Sequence, residues 1–289
     1  MMLTSDELAD VGAPLAWRVI PWWTPRPSAL PQGPSYGTDL PYGETCDVAS
    51  DVVALTRRLD AEQLTRLEVL CRDTAEALSA AALASTPDLS EYGAAALASA
   101  RLLERDVDPI VLLVAGRARI ARDRHPLPTS APLGETAMLV CCGRRHGLVA
   151  SATRIVRFGR LTTAERDRYD ALLEVERAFL DASRPGATLG EVVTAGTTAY
   201  GVHGFDPDEW HRHHQGGLSG WEPREFPASR TDPTRLEAGT VVAWNPSGAG
   251  WKIEDTTLAA PGGATVIAED ATWPALVVGG RPRPAVAEV

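Results

Sequence analysis

Three groups of residues in this 289-residue chain have the types and spacing to do chemistry. His211, His213 and His214 fall within four positions. On an extended strand side chains alternate between faces, so His211 and His213 would share one face at a spacing suited to metal ligation. Lys252 and Glu254 stand two apart in Trp-Lys-Ile-Glu-Asp, which would place a cation and a carboxylate on one strand face. Lys252 is also the only lysine among 28 basic residues, so the other 27 are arginines. Cys141 and Cys142 are adjacent and would point to opposite faces of a strand. Cys142 could serve as a nucleophile if a neighbouring base or cation lowered its pKa. Spacing places no base beside it, so a small buried hydrophobe is the expectation.

These residues need elements to position them. Leu64, Leu67, Leu70, Cys71, Ala75 and Leu78 recur at helical spacing, and a second helix is expected from Ser90 through Leu97, Arg101 and Leu102. Strand-like runs follow at 110–116, 137–143 and 147–159. The order then repeats. Residues 162–182 form an amphipathic helix with Thr162 or Thr163 as its cap, and 188–204 form a shorter helix ended by Gly204. Strand-like segments close the chain at 211–217, 239–246, 251–259 and 264–270. Two helices followed by antiparallel strands, repeated at an offset of about 100 residues, predict an internally duplicated α+β domain. Its strands would curve into one sheet, its helices would cover the outer face, and the concave face would hold any site.

Composition limits the function classes. With 28 Lys+Arg against 38 Asp+Glu the formal charge is −10, and there is no basic run, so nucleic acid is not an expected partner. No run approaches the ~20 apolar residues of a membrane span, and the first residues lack a basic-then-apolar leader, so a cytoplasmic location is expected. Four cysteines without a Cys-x-x-Cys pair make neither a disulfide framework nor a thiolate zinc site. Residues 1–59, rich in Pro and Trp, read as an N-terminal arm or cap, and 60–289 as the catalytic-type domain. Trp17, Trp22 and Trp23 suggest that the arm docks on its own body or on a neighbouring subunit.

Four separated segments resemble the pita-bread fold shared by methionine aminopeptidase, Xaa-Pro aminopeptidase, prolidase and creatinase. Arg-His-Pro-Leu-Pro-Thr and the following Gly (124–140) are similar to the family's His-x-x-Pro-Thr entry to its first metal strand. Residues 141–159 are similar to its Asp-x-Gly … Asp-x-Thr-Arg hairpin, and 213–225 to its Gly-His-x-x-Gly-x-x-x-His-Glu. Residues 236–263 are similar to its Glu-Pro segment followed by Arg-Ile-Glu-Asp. Order and spacing agree over about residues 60–275.

The resemblance implies a pair of divalent cations held by two Asp, one His and two Glu. At those positions this chain has Cys141 (or Cys142 or Val140), Ser151, Gly217, Asn245 and Glu254. Only Glu254 is kept, so the expectation is no metal and no cofactor.

What the resemblance leaves is a polar set for a metal-independent, creatinase-like enzyme acting on a C–N bond of a small amino-acid-like or short-peptide substrate. His125 is similar to the general acid/base. Glu254 or Glu225 would orient or accept a proton, and Asn245 would donate to a developing oxyanion. Arg224 and Lys252 would hold a substrate carboxylate. Arg154, which keeps the Thr-Arg pair, and His213, His214, Cys142 and Trp221 would complete the binding surface. The fold's members imply a homodimer. Two alternatives stay open: a pseudoenzyme that keeps the groove for binding, with Trp221, Trp244 and Trp251 filling or flooring it, and a metalloenzyme rebuilt on His211, His213 or His214 with Glu225 and Glu254.

Overall fold

The computed structural model describes residues 20–289 except 22, 26–29, 32, 41, 249 and 269. Two compact units are present, Met1–Leu55 and Thr56–Val289. In the first, two short strands, β1 (Gly37–Thr38) and β2 (Cys46–Asp47), pair in parallel, and the helix α1 (Ala49–Thr56) follows. Trp23 is exposed, while Trp17 and Trp22 lie outside the described residues.

The second unit is the α+β pita-bread fold. Its first half runs α2 (Ala61–Leu83), α3 (Glu91–Leu103), β3 (Asp108–Gly116), a short α4 (Arg117–Ile120), β4 (Thr136–Arg145) and β5 (Leu148–Arg157). Its second half repeats the order with α5 (Thr163–Ala182), α6 (Leu189–Val202), β6 (Gly216–Leu218), β7 (Val241–Trp244), the hairpin β8 (Ser247–Gly248) and β9 (Trp251–Lys252), and β10 (Asp255–Leu258). The chain closes with β11 (Thr265–Val266), β12 (Ala275–Val278), β13 (Arg281–Pro284) and β14 (Ala287–Glu288). The main sheet runs β3-β4-β5-β10-β7-β6, with β11 against β10 and β14 parallel to β5.

Local chemistry sets the helix starts. Asp60, Thr162 and Thr188 each accept from the backbone three residues on, while Gln63, Glu165 and Glu191 bond back to the cap, and Ser90 caps α3 through Gly93 N. Strand alternation then divides the sheet into two faces. Leu139, Cys141, Ala150 and Ala152 face the core under α2 and α3, whereas Leu113, Met138, Val140 and Ile155 face the other core with α5 and α6. Gly196 on α6 allows the close approach to α5: a Cβ there would sit 2.2 Å from the Phe179 ring, which is itself stacked on Trp244 at 5.0 Å. Gly196→Ala is therefore expected to cost about 1–3 kcal/mol, read as a lower denaturation midpoint with an unchanged denaturant slope.

Three expected strands are shorter or different. Residues 209–212 form a 3-10 turn, so His211 is exposed against Trp210 at 3.8 Å and shares no strand face with His213. The expected 251–259 strand breaks at Ile253 and Glu254, because the β8–β9 hairpin turns back on itself before β10 joins the main sheet. The 264–270 run pairs only over Thr265–Val266. Among the described residues, no helix is long and apolar enough to cross a membrane.

Candidate active site

Strand parity builds the site. Val111 and Leu113 of β3 and Val140 and Cys142 of β4 point away from α2 and form one wall of a cavity of about 210 Å³. Cys142 pairs across the ladder with Ser151, and their side chains lie 3.4 Å apart. Parity thereby settles the position left open between Cys141 and its neighbours: Cys141 is in the opposite core, and Cys142 and Val140 face the cavity. The second half of the fold supplies His214, Arg224, Asn245, Lys252 and Glu254, and His125 comes from the loop before β4.

The centre is an ion cluster. Glu254 is buried; its Oε1 accepts from Arg224 Nη2 at 2.6 Å, and its Oε2 lies 3.6 Å from Lys252 Nζ. Burial alone would raise the Glu254 carboxyl, but Lys252 and then Arg224 outweigh it and hold it below the usual carboxylate range. Burial lowers the Lys252 ammonium, with Glu254 opposing. Lys252 Nζ, Arg224 Nε and Asn245 Oδ1 are all buried and make no hydrogen bond within the protein. A cavity edged by an orphaned donor and an orphaned acceptor suits a ligand with both kinds of group.

Three imidazoles flank this cluster. The His125 ring lies 5.2 Å from His214 and 5.3 Å from His213. His213 Nε2 is 2.6 Å from Ser247 Oγ. Burial, reinforced by nearby positive charge, lowers all three: His213 to about 2, His214 to about 4, and His125 by a smaller amount. His125 is exposed at the cavity mouth, reaches its neighbours' fields, and is neutral at pH 7. Cys142 is different. Burial, then Glu254, raises its thiol, so the thiolate needed by a nucleophile is disfavoured.

Of the residues expected to form the site, His125, Cys142, His214, Arg224, Asn245, Lys252 and Glu254 line the cavity, and His213 stands behind His125. Three do not join it. Arg154 points to the other sheet face, where it pairs with Asp255 at 2.9 Å. Glu225 turns away to Arg57 at 3.0 Å. Trp221 covers the β4–β5 turn, where a Cβ on Gly147 would meet its ring at 2.9 Å. Trp244 and Trp251 belong to the core with Phe179 and Tyr169, so among the described residues no tryptophan fills or floors the cavity. Ser247, not expected from sequence, positions His213; its place after Asn245-Pro246 was the only signal.

The side chains present do not fit the dinuclear metal centre that the resemblance implies. Glu254 is the single carboxylate among the five ligand positions, and two buried cations already occupy its oxygens. A second pair of positive ions would meet uncompensated like charge. Gly217 has φ +150°, a region a histidine would adopt only with strain. Among the described residues, no group of three or more His, Cys, Asp or Glu side chains is arranged to hold a metal.

Solved structures share this fold. A prolidase from Pyrococcus furiosus superposes with a TM-score of 0.71 at 21% identity, covering 79% of this chain and 70% of its own. An X-Pro aminopeptidase from Thermotoga maritima gives 0.71 at 15% identity, covering 86% and 69%. Dipeptidase PepE from Mycobacterium ulcerans gives 0.71 at 19% identity, covering 86% and 66%. No curated protein matches the sequence. Residues 66–267 match the family described as metallopeptidase family M24. That match spans well over half of the sequence, and the chain belongs to metallopeptidase family M24.

Proposed function

We propose that this chain is a metal-independent enzyme acting on a C–N bond of a small amino-acid-like or short-peptide substrate. The observation that carries the reading is the convergence of a neutral imidazole, His125, with Arg224, Lys252, Glu254 and Asn245 on one unfilled cavity. Arg224 and Lys252 against the single Glu254 leave a net positive charge, which suits a substrate carboxylate. His125 takes a proton from the attacking group or returns one to the leaving nitrogen. Asn245, whose backbone N–H already donates to Gln215 O at 3.0 Å, offers its side-chain N–H to the carbonyl oxygen or amidine nitrogen on which negative charge develops. Relatives named prolidase, X-Pro aminopeptidase and dipeptidase support a substrate of amino-acid or peptide type. The cavity is smaller than the ~300–1,000 Å³ of drug-sized pockets, which favours a compact one.

The test is a panel of Xaa-Pro and other dipeptides together with creatine-like guanidino and ureido acids, with and without chelator. Turnover unaffected by chelator and by added Mn²⁺ or Co²⁺ is expected. Turnover that appears only on adding metal overturns the metal-independent reading. Saturable binding without turnover across the panel would make the chain a binding scaffold instead.

A further inference from the structure

We propose that Lys252 is a carbonyl-capturing amine, and that the cavity takes a small 2-oxo acid whose keto carbon forms a reversible imine with Lys252 Nζ. The inference goes beyond C–N cleavage and does not rest on it.

The first argument is composition read against position. The chain uses arginine 27 times (28 basic residues less one lysine) and lysine once, and that one lysine lies buried in the wall of the cavity. If the position required only positive charge, arginine would serve, as it does at Arg224, Arg154 and Arg283, all ion-paired and mostly buried. A guanidinium is no amine nucleophile, whereas a lysine amine adds to carbonyl carbon. The second argument is the state of Nζ. It makes no hydrogen bond within the protein, and its nearest carboxylate oxygen is at 3.6 Å, outside hydrogen-bond reach. Freeing it means giving up one ion contact, with Glu254, whose other oxygen stays bound to Arg224. The third is the company it keeps. His125 and His214 line the same cavity as proton carriers, and Arg224, with a buried Nε–H that has no partner, supplies a cation for the acid group.

The step balances without an oxidant or reductant. The Lys252 ammonium gives a proton to an imidazole, and the amine lone pair bonds to the keto carbon while the C=O π pair moves to oxygen. That oxygen takes the proton back to give a carbinolamine. The carbinolamine nitrogen, which still holds two protons and the positive charge, gives one of them to the imidazole; that imidazolium protonates the hydroxyl, which leaves as water while the nitrogen lone pair closes the iminium. One ammonium and one ketone become one iminium and one water. The positive charge persists, so the carboxylate stays compensated throughout.

The test uses the intact protein with glyoxylate or pyruvate and sodium cyanoborohydride, followed by peptide mapping by mass spectrometry. With a single lysine, only Lys252 and the N-terminal α-amine can carry a reduced adduct, so the α-amine is an internal control and no variant is required. Lys252 is expected to be labelled in the native protein, and acetaldehyde, which lacks the carboxylate, is expected to label it about tenfold less at equal concentration, the loss of one modest ion pair. Labelling of the α-amine alone, or of Lys252 only after denaturation, overturns the proposal. Equal labelling by acetaldehyde overturns the 2-oxo-acid class. Turnover on the C–N panel is read separately: an adduct without turnover leaves carbonyl capture standing, and turnover without an adduct removes only the capture.

Discussion

His125→Ala is expected to lower kcat on any substrate the chain turns over by roughly 10²–10⁴-fold, the usual contribution of a positioned acid/base. The fold should survive. His125 is exposed at the cavity mouth, and exposed positions away from caps and cores tolerate substitution within about 0.5 kcal/mol. Far-UV circular dichroism and the melting temperature serve as the controls, and a loss of activity with both unchanged separates catalysis from folding. The pH profile carries the sharper statement. Partial burial of the ring on its cavity side, then the charges of Lys252 and Arg224, lower the His125 imidazolium pKa, with Glu254 opposing them. A base whose pKa is lowered stays neutral further into acid. The acid limb of kcat/KM should therefore lie below the ordinary imidazole value near 6.5, with a plateau through neutrality. Unchanged turnover in His125→Ala, or an acid limb above the ordinary value, would remove His125 from the chemistry.

The helix starts at Ser90 and Thr162 are readable in the sequence because each side chain satisfies a local backbone donor, a matter of three or four residues, while the caps at Asp60 and Thr188 follow the same rule but emerge only in the structure. The gathering of His125, Arg224, Lys252, Glu254 and Asn245 was legible only through motif order, since residues up to 129 positions apart in sequence reach one cavity by tertiary packing. For Arg154 the sequence already holds the information that places it on the other sheet face. Ser151 and Arg154 are three apart on a strand, so they face opposite sides, and a site that takes Ser151 cannot take Arg154. The histidine run misled for a different reason. Alternation does not hold where residues 209–212 turn as a 3-10 helix, so His211 shares no face with His213; His213 and His214 instead each lie beside His125, at 5.3 and 5.2 Å. Glu225 lies in the loop after β6, where neighbouring side chains diverge without a fixed period, and no spacing rule could have shown that it turns to Arg57.

The same parity gives the largest stability effect. Asp255 is the back-face neighbour of Glu254, and its two oxygens contact Arg154 at 2.9 Å and Arg283 at 3.0 Å, all three side chains no more than 2% exposed. Arg283 in turn grips Glu176 of α5 through two bonds at 2.6 and 2.7 Å, so Asp255 ties β10 to β5, β13 and α5. Asp255→Ala leaves Arg154 with only the Thr153 carbonyl, at 2.8 Å, in a buried site. Stranding a buried charge in this way costs about 3–5 kcal/mol, a large part of the ~5–15 kcal/mol that a domain possesses, so a steep fall in the urea midpoint is expected. Replacing the pair together, Arg154→Met with Asp255→Leu, removes the stranded charge and should recover much of that loss, because apolar replacements of a buried ion pair are often neutral. A double variant no more stable than Asp255→Ala would show that the loss is not the stranded Arg154 charge. The consequence reaches the cavity. Glu254 lies between the end of β9 and the start of β10, held by its carbonyl to Thr153 N at 2.8 Å and by the pairing of Asp255 with Ala152 and Trp244. Loosening Asp255 on the back face therefore frees Glu254 on the front, and the Arg224–Glu254–Lys252 cluster loses its fixed centre. In Asp255→Ala, substrate binding and folding should weaken together, whereas in His125→Ala only turnover should change.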